Sequence, residues 1–125
     1  MGGEMLTGVY YYKDEDGDKP VKAFIDSLPD NEQAKIYAYI AELKAQGHNL
    51  RRPMADYLRG GIYELRPREN RIFYFFYQRD RAVLVHAIKK HVKKIPEGDL
   101  KLCIKRKHAV EARGAAIEKL ELRGE

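Results

Sequence analysis

Val9-Tyr10-Tyr11-Tyr12-Lys13 is β-branched and aromatic, and the acidic run Asp14-Glu15-Asp16-Gly17-Asp18 closes it, so a first strand and a turn are predicted. A change of period follows. Pro20 suits a first helical position, and Val21, Phe24, Ile25 and Leu28 form one apolar stripe at offsets of three, four and seven. Pro29 stops that helix. Asp30 and Gln33 have capping-box spacing, Ile36, Ile40 and Leu43 continue a second stripe, and Gly47 sits where a helix closes. The prediction is a helical hairpin bent at Pro29-Asp30.

His48 to Arg59 reads as a loop, after which Gly60-Gly61 opens a strand-like stretch with candidates at Ile62–Arg66, Arg71–Gln78 and Ala82–Ile88. The connectors are too short for parallel crossovers, so these strands form an antiparallel meander that the two helices cover on one face. Pro96-Glu97-Gly98-Asp99 then opens a third helix, with Leu100, Cys103 and Ile104 on its apolar side. Val110, Ile117 and Leu120 are spaced to continue a weak helical stripe through Lys105 to Arg123. The expected fold class is α+β: an N-terminal strand and helical hairpin packed on an antiparallel meander, followed by a C-terminal helix.

With 125 residues there is room for one domain, taken as 1–125, with 1–7 an N-terminal tail and 109–125 a C-terminal helical extension. The single cysteine, Cys103, excludes an internal disulfide or a multi-cysteine zinc site and fits a reducing compartment. The longest apolar run, Ile72 to Tyr77, is far shorter than the ~18–20 residues of a membrane span. A soluble, cytoplasmic protein with no membrane partner is expected.

Charge is uneven along the chain. Residues 1–62 hold 8 Lys/Arg against 10 Asp/Glu, a net of −2, while residues 63–125 hold 16 against 9, a net of +7. A basic second half predicts a polyanionic partner, nucleic acid or an acidic protein. Within it, Arg66 and Arg71 flank the Pro67–Asn70 bend at one end of the meander, and paired guanidiniums on a rigid scaffold suit bidentate phosphate binding. Alternation places Glu64 with Arg66 on the face opposite Tyr63 and Leu65, which is solvent if Tyr63 and Leu65 are core.

The last strand runs into Lys89-Lys90-His91-Val92-Lys93-Lys94. On composition alone such a run is most often a solvated loop. Beside the arginine strands it makes a cationic groove, and Tyr74 and Tyr77 are candidate stacking platforms, the combination that holds single-stranded nucleic acid. The rival role for both tyrosines is ordinary sheet packing. His86, between Val85 and Ala87, reads as a packed residue hydrogen-bonded to backbone; His48 and His108 read as exposed; Cys103 reads as core. No histidine spacing indicates a metal site.

Gly61-Ile62-Tyr63-Glu64-Leu65-Arg66, then Arg71-Ile72-Phe73-Tyr74-Phe75, then Val85-His86-Ala87-Ile88-Lys89-Lys90, with Pro96 opening the last helix, resembles the HigB-like, phage-associated branch of the RelE/ParE toxin superfamily. The resemblance covers roughly residues 8–108 by order of elements and is dense between Gly61 and Pro96. It implies the toxin of a type II toxin–antitoxin pair, a metal-independent mRNA endonuclease acting in the ribosome, with no cofactor. ParE-like members share the fold and poison DNA gyrase, so a non-enzymatic gyrase inhibitor or a phage host-interaction protein is the alternative.

Carried over by motif, Arg66 and Arg71 match the family's central-strand arginines, and Lys89, Lys90 and Lys93 its basic segment. Glu64 stands where the RelE pattern has a basic residue, and the last helix has no evident tyrosine. Metal-free cleavage needs a base for the 2′-hydroxyl, charge neutralisation at the phosphate and a proton for the departing 5′-oxygen. Arg66 and Arg71 suit the second task, Lys90 and Lys93 the second and third, and Glu64 or His91 the first, with Lys89, Lys94, Arg68, Tyr74 and Tyr77 binding RNA. The implied partners are mRNA, the ribosome and an antitoxin, a small helix-turn-helix protein.

Overall fold

β1 (Gly8–Tyr12) leads into α1 (Pro20–Asp26) and α2 (Asp30–Gln46), followed by a 3-10 turn at Gly47–Asn49. β2 (Ala55–Arg59), β3 (Ile62–Leu65), β4 (Asn70–Tyr77) and β5 (Arg81–Lys89) come next, then α3 (Glu97–Arg113) and β6 (Ile117–Lys119). This is a computed structural model that describes residues 5–90, 93–113 and 116–122. The six strands form one sheet in the order β2-β3-β4-β5-β1-β6. β1 pairs parallel to β5, and every other neighbouring pair is antiparallel.

Both faces of the sheet are covered. Val21, Ile25, Ile36, Ile40 and Leu43 from α1 and α2 pack on Val9, Leu65, Ile72, Tyr74 and Leu84. On the opposite face Leu100, Cys103 and Val110 from α3 pack on Ile62, Phe73, Phe75, Val83 and Val85. A strand buried on both sides needs no polar face, which is why the centre of β4 reads as an unbroken apolar run. The predicted hairpin and meander are therefore present, with helices on two faces rather than one.

Several boundaries differ from expectation. Pro29 precedes α2 without any side-chain cap, so the Asp30/Gln33 capping box does not form. Gln33 Nε2 instead donates to the Leu28 carbonyl at 2.8 Å, tying the two helices at their bend. Gly47 does close α2, at φ +52°. Leu6 and Thr7 are not tail: Leu6 is buried, and their N–H groups donate to the Lys44 and Asp80 carbonyls at 2.8 Å.

The expected helical extension toward Arg123 does not continue: α3 ends at Arg113, and Ile117–Lys119 forms β6, which pairs with β1. The physical reason is that Val110, Ile117 and Leu120 do not share one stripe. Val110 belongs to the core under α3, whereas Leu120 is buried on the α1/α2 side. The expected loop over 48–59 contains β2, and its hairpin to β3 turns on Gly60 and Gly61 at φ +63° and +84°. Two positive-φ residues are the requirement of the tightest hairpins, and glycine meets it without strain.

Candidate active site

Across the α3 side of the sheet, Glu64 of β3, Phe73 of β4 and His86 of β5 stand in register. Beyond Glu64 the surface falls into an open groove of about 400 Å³ between β2, the end of β3, the segment after β5 and the start of α3. Arg52, Arg59, Arg66, Lys90, Lys93 and Lys94 line it together with the carboxylates Asp56, Glu64 and Glu97. Leu58, Ile95 and Leu100 complete its wall.

Backbone hydrogen bonds place these groups. Arg66 donates its N–H to Met54 O at 2.8 Å and Lys90 donates to Glu69 O at 2.7 Å, so the start of the basic segment is tied to the Pro67–Asn70 turn. On the far side of the sheet Glu32 of α2 accepts from Lys89 Nζ at 2.5 Å and from Asn70 Nδ2 at 3.1 Å. These two donors hold the Glu32 carboxyl below the usual glutamate range. His86 Nε2 lies 2.7 Å from Asp99 Oδ1, fastening the first turn of α3 to β5. That partner is a carboxylate, not the backbone expected for His86.

Within the groove the arginines have carboxylate neighbours. Arg52 Nη2 is 2.7 Å from Asp56 Oδ2, Arg59 contacts Glu97 directly, and Arg66 Nε is 3.8 Å from Glu64 Oε2. Lys90, Lys93 and Lys94 make no ion pair within 4.0 Å among the described residues, so the groove keeps a free cationic wall. Glu64 is 6% exposed, against the solvent position expected for it. The cause is α3, which covers the face that the strand pattern alone leaves open. Burial raises the Glu64 pKa, and Arg71 and Arg66 offset part of that rise.

Arg71 does not line the groove. It is 9% exposed, and its Nη1 donates to the Arg68 and Asn70 carbonyls at 2.6 and 2.9 Å. The two arginines flanking the bend thus divide: Arg66 faces the groove and Arg71 backs Glu64 from within. Lys89 is also displaced from expectation, because alternation turns it toward α2 and Glu32. Arg68 is exposed on the turn at φ +59°, outside the groove lining.

Tyr74 is fully buried under α1 and α2, and burial pushes its phenol pKa up, so it has no face to offer a base. Tyr77 lies six residues along β4 from Arg71, about 20 Å away at the other end of the strand. His91 lies outside the described residues. His48, expected to be exposed, is half-buried and stacks on Phe76 at 3.8 Å. Cys103 is buried as read, its thiol pushed up to about 12 by burial.

Arg52, Asp56, Tyr57, Arg59 and Glu97 are groove residues that the sequence reading passed over. Four of them come from or adjoin β2. The available signal was the Gly60-Gly61 pair, a tight-turn dipeptide, directly after a stretch holding the β-prone Tyr57 and Leu58. Tyr57 is 51% exposed, its hydroxyl accepting the Gly61 N–H at 3.1 Å and its ring meeting the Tyr63 ring edge to face on the α1/α2 side of the sheet. No described helix is long and apolar enough to cross a membrane.

Comparison with known proteins gives one family. Residues 23–108, from α1 into α3, match the family described as Phage derived protein Gp49-like (DUF891). No curated protein matches the chain.

Proposed function

The chain belongs to the Gp49-like phage-derived family, a RelE-like toxin family, and on that premise we propose that it is an mRNA-cutting toxin that works without metal on the translating ribosome. One observation carries the reading: Arg66, Lys90, Lys93 and Lys94 converge with a buried carboxylate, Glu64, in a single groove. Guanidinium and ammonium groups there suit a phosphodiester.

In this mechanism Glu64 takes the proton of the 2′-hydroxyl, and the 2′-oxygen forms its bond to the adjacent phosphorus. The bond from phosphorus to the 5′-oxygen breaks, and Lys90 or Lys93 supplies the proton that the leaving oxygen needs. Arg66 neutralises charge on the non-bridging oxygens, the task at which fixed donors in a water-poor site are most effective. A carboxylate with an ordinary pKa is a weak base at neutral pH, and burial moves Glu64 in the useful direction. Arg71 keeps Glu64 in place instead of gripping phosphate.

The ribosome supplies orientation of the message, so a site of few groups suffices. A small helix-turn-helix antitoxin fits the same cationic surface with acidic side chains, and a cytoplasmic location follows from both partners. Expression in cells with and without a translation-blocking drug tests the activity. The expected result is in-frame cuts in translated mRNA that disappear with the drug; DNA damage without mRNA cuts contradicts it and favours action on gyrase.

A further inference from the structure

We propose that Arg59 is an additional phosphate-binding position, held in reserve by Glu97, the two side chains forming a latch across the groove. The inference rests on the reading that the groove takes RNA, and it names a residue outside the basic segment and the central-strand arginines.

Arg59 ends β2 and Glu97 opens α3, so their contact spans the groove from one wall to the other. Each side chain is about half exposed, 51% and 52%, and neither has another hydrogen bond among the described residues. An ion pair this exposed contributes little, so it yields readily to a better anion. The pair is also unlike its neighbour in the same groove. Asp56 accepts from Arg52 at 2.8 Å and from the Tyr57 N–H at 3.0 Å, which anchors that carboxylate twice.

The backbone after Arg59 is packed closely, while its side chain is half exposed. Gly60 and Gly61 tuck under α3, where an added Cβ would come within 2.9 Å of Ile104 Cδ1 and 2.8 Å of Lys107 Cε. Two non-bridging oxygens of a phosphodiester offer a guanidinium the same paired acceptors as a carboxylate. When RNA enters, Arg59 exchanges Glu97 for a phosphate. Glu97 is received by the ammoniums of Lys94 and Lys101, which already act on it electrostatically.

The probe is a short, 2′-O-methylated single-stranded RNA, which binds without being cut. Its affinity is measured across a salt series for the wild type, Glu97→Gln, Arg59→Ala/Glu97→Gln and Lys90→Ala/Lys93→Ala. Glu97→Gln is expected to bind about three- to tenfold tighter, with a salt slope steeper by about 0.7. Arg59→Ala/Glu97→Gln has the same net charge as the wild type and is expected to bind at least about threefold more weakly, because a phosphate ligand is gone. Equal binding by that charge-matched pair, or no tightening in Glu97→Gln, overturns the latch, as does a failure of all four proteins to bind. If the latch pattern holds while Lys90→Ala/Lys93→Ala binds normally, the latch stands and the account of the basic segment fails instead. Both latch residues are exposed, and thermal melts of the variants confirm that each one folds.

Discussion

Glu64 Oε1 lies 3.7 Å from Arg71 Nε, and neither buried atom has a hydrogen-bond partner among the described residues. A carboxylate and a guanidinium this close attract one another, yet neither satisfies the other. Buried polar atoms left without hydrogen bonds beneath a cationic groove are costly to folding, and such cost is characteristic of sites where chemistry needs a reactive group.

Glu64→Gln keeps the shape and removes the charge, so thermal stability should be unchanged or higher, while RNA cleavage falls by about 10²–10⁴-fold. Arg71→Met should act the other way. It leaves the Glu64 carboxylate buried beside one fewer cation and should cost about 3 kcal/mol of stability, read by denaturant unfolding. Equal effects of the two substitutions on stability would separate Glu64 from the role given to it.

The pH dependence follows from the raised Glu64 pKa. The folded state holds this proton more tightly than the unfolded chain does, so Glu64's favourable contribution is fully present below the ordinary glutamate range. It is lost as pH rises through the folded value. Glu32, Asp56, Glu97 and Glu118, all held low by cationic neighbours, contribute in the opposite sense and weaken the fold in acid. The difference in unfolding free energy between wild type and Glu64→Gln isolates the first effect: it should move against the wild type as pH rises. Cleavage should increase over the same window, since the base must be ionised.

Adjacent lysines should behave differently. Lys90→Ala/Lys93→Ala should weaken single-stranded RNA binding and lower the salt slope by about 1.4, about 0.7 per charge, with no change in melting temperature. Lys89→Ala should leave RNA binding nearly intact and cost under about 1 kcal/mol of stability, because its ammonium is partly exposed and serves Glu32.

The two tyrosines weighed as stacking platforms should also separate. Tyr74→Ala should cost about 3–5 kcal/mol of folding stability, as for other large core truncations. Tyr77→Ala should leave RNA affinity unchanged, measured in the same titration.

Much of the fold was legible because periodicity reports burial directly. The stripe Ile36, Ile40, Leu43 and the short connectors around Pro67 and Arg79 each admit few arrangements, and they yielded α2 and the meander. β2 was missed because an edge strand needs only one apolar face, and Asp56, Tyr57 and Arg59 resemble loop residues. Placement of Lys90 and Arg66 in one groove followed from short-range connectivity. The burial of Glu64 and the inward turn of Arg71 did not, since both depend on a face that α3 covers, a helix that begins 33 residues after Glu64 and 26 after Arg71.

The most direct test is mapping of 5′ ends on a defined mRNA translated in a purified system with the wild type, Glu64→Gln and Lys90→Ala/Lys93→Ala. The account predicts ribosome-dependent cuts in the reading frame with the wild type and their near loss in both variants. Undiminished cutting by both variants, or none by the wild type on actively translating ribosomes, would contradict it.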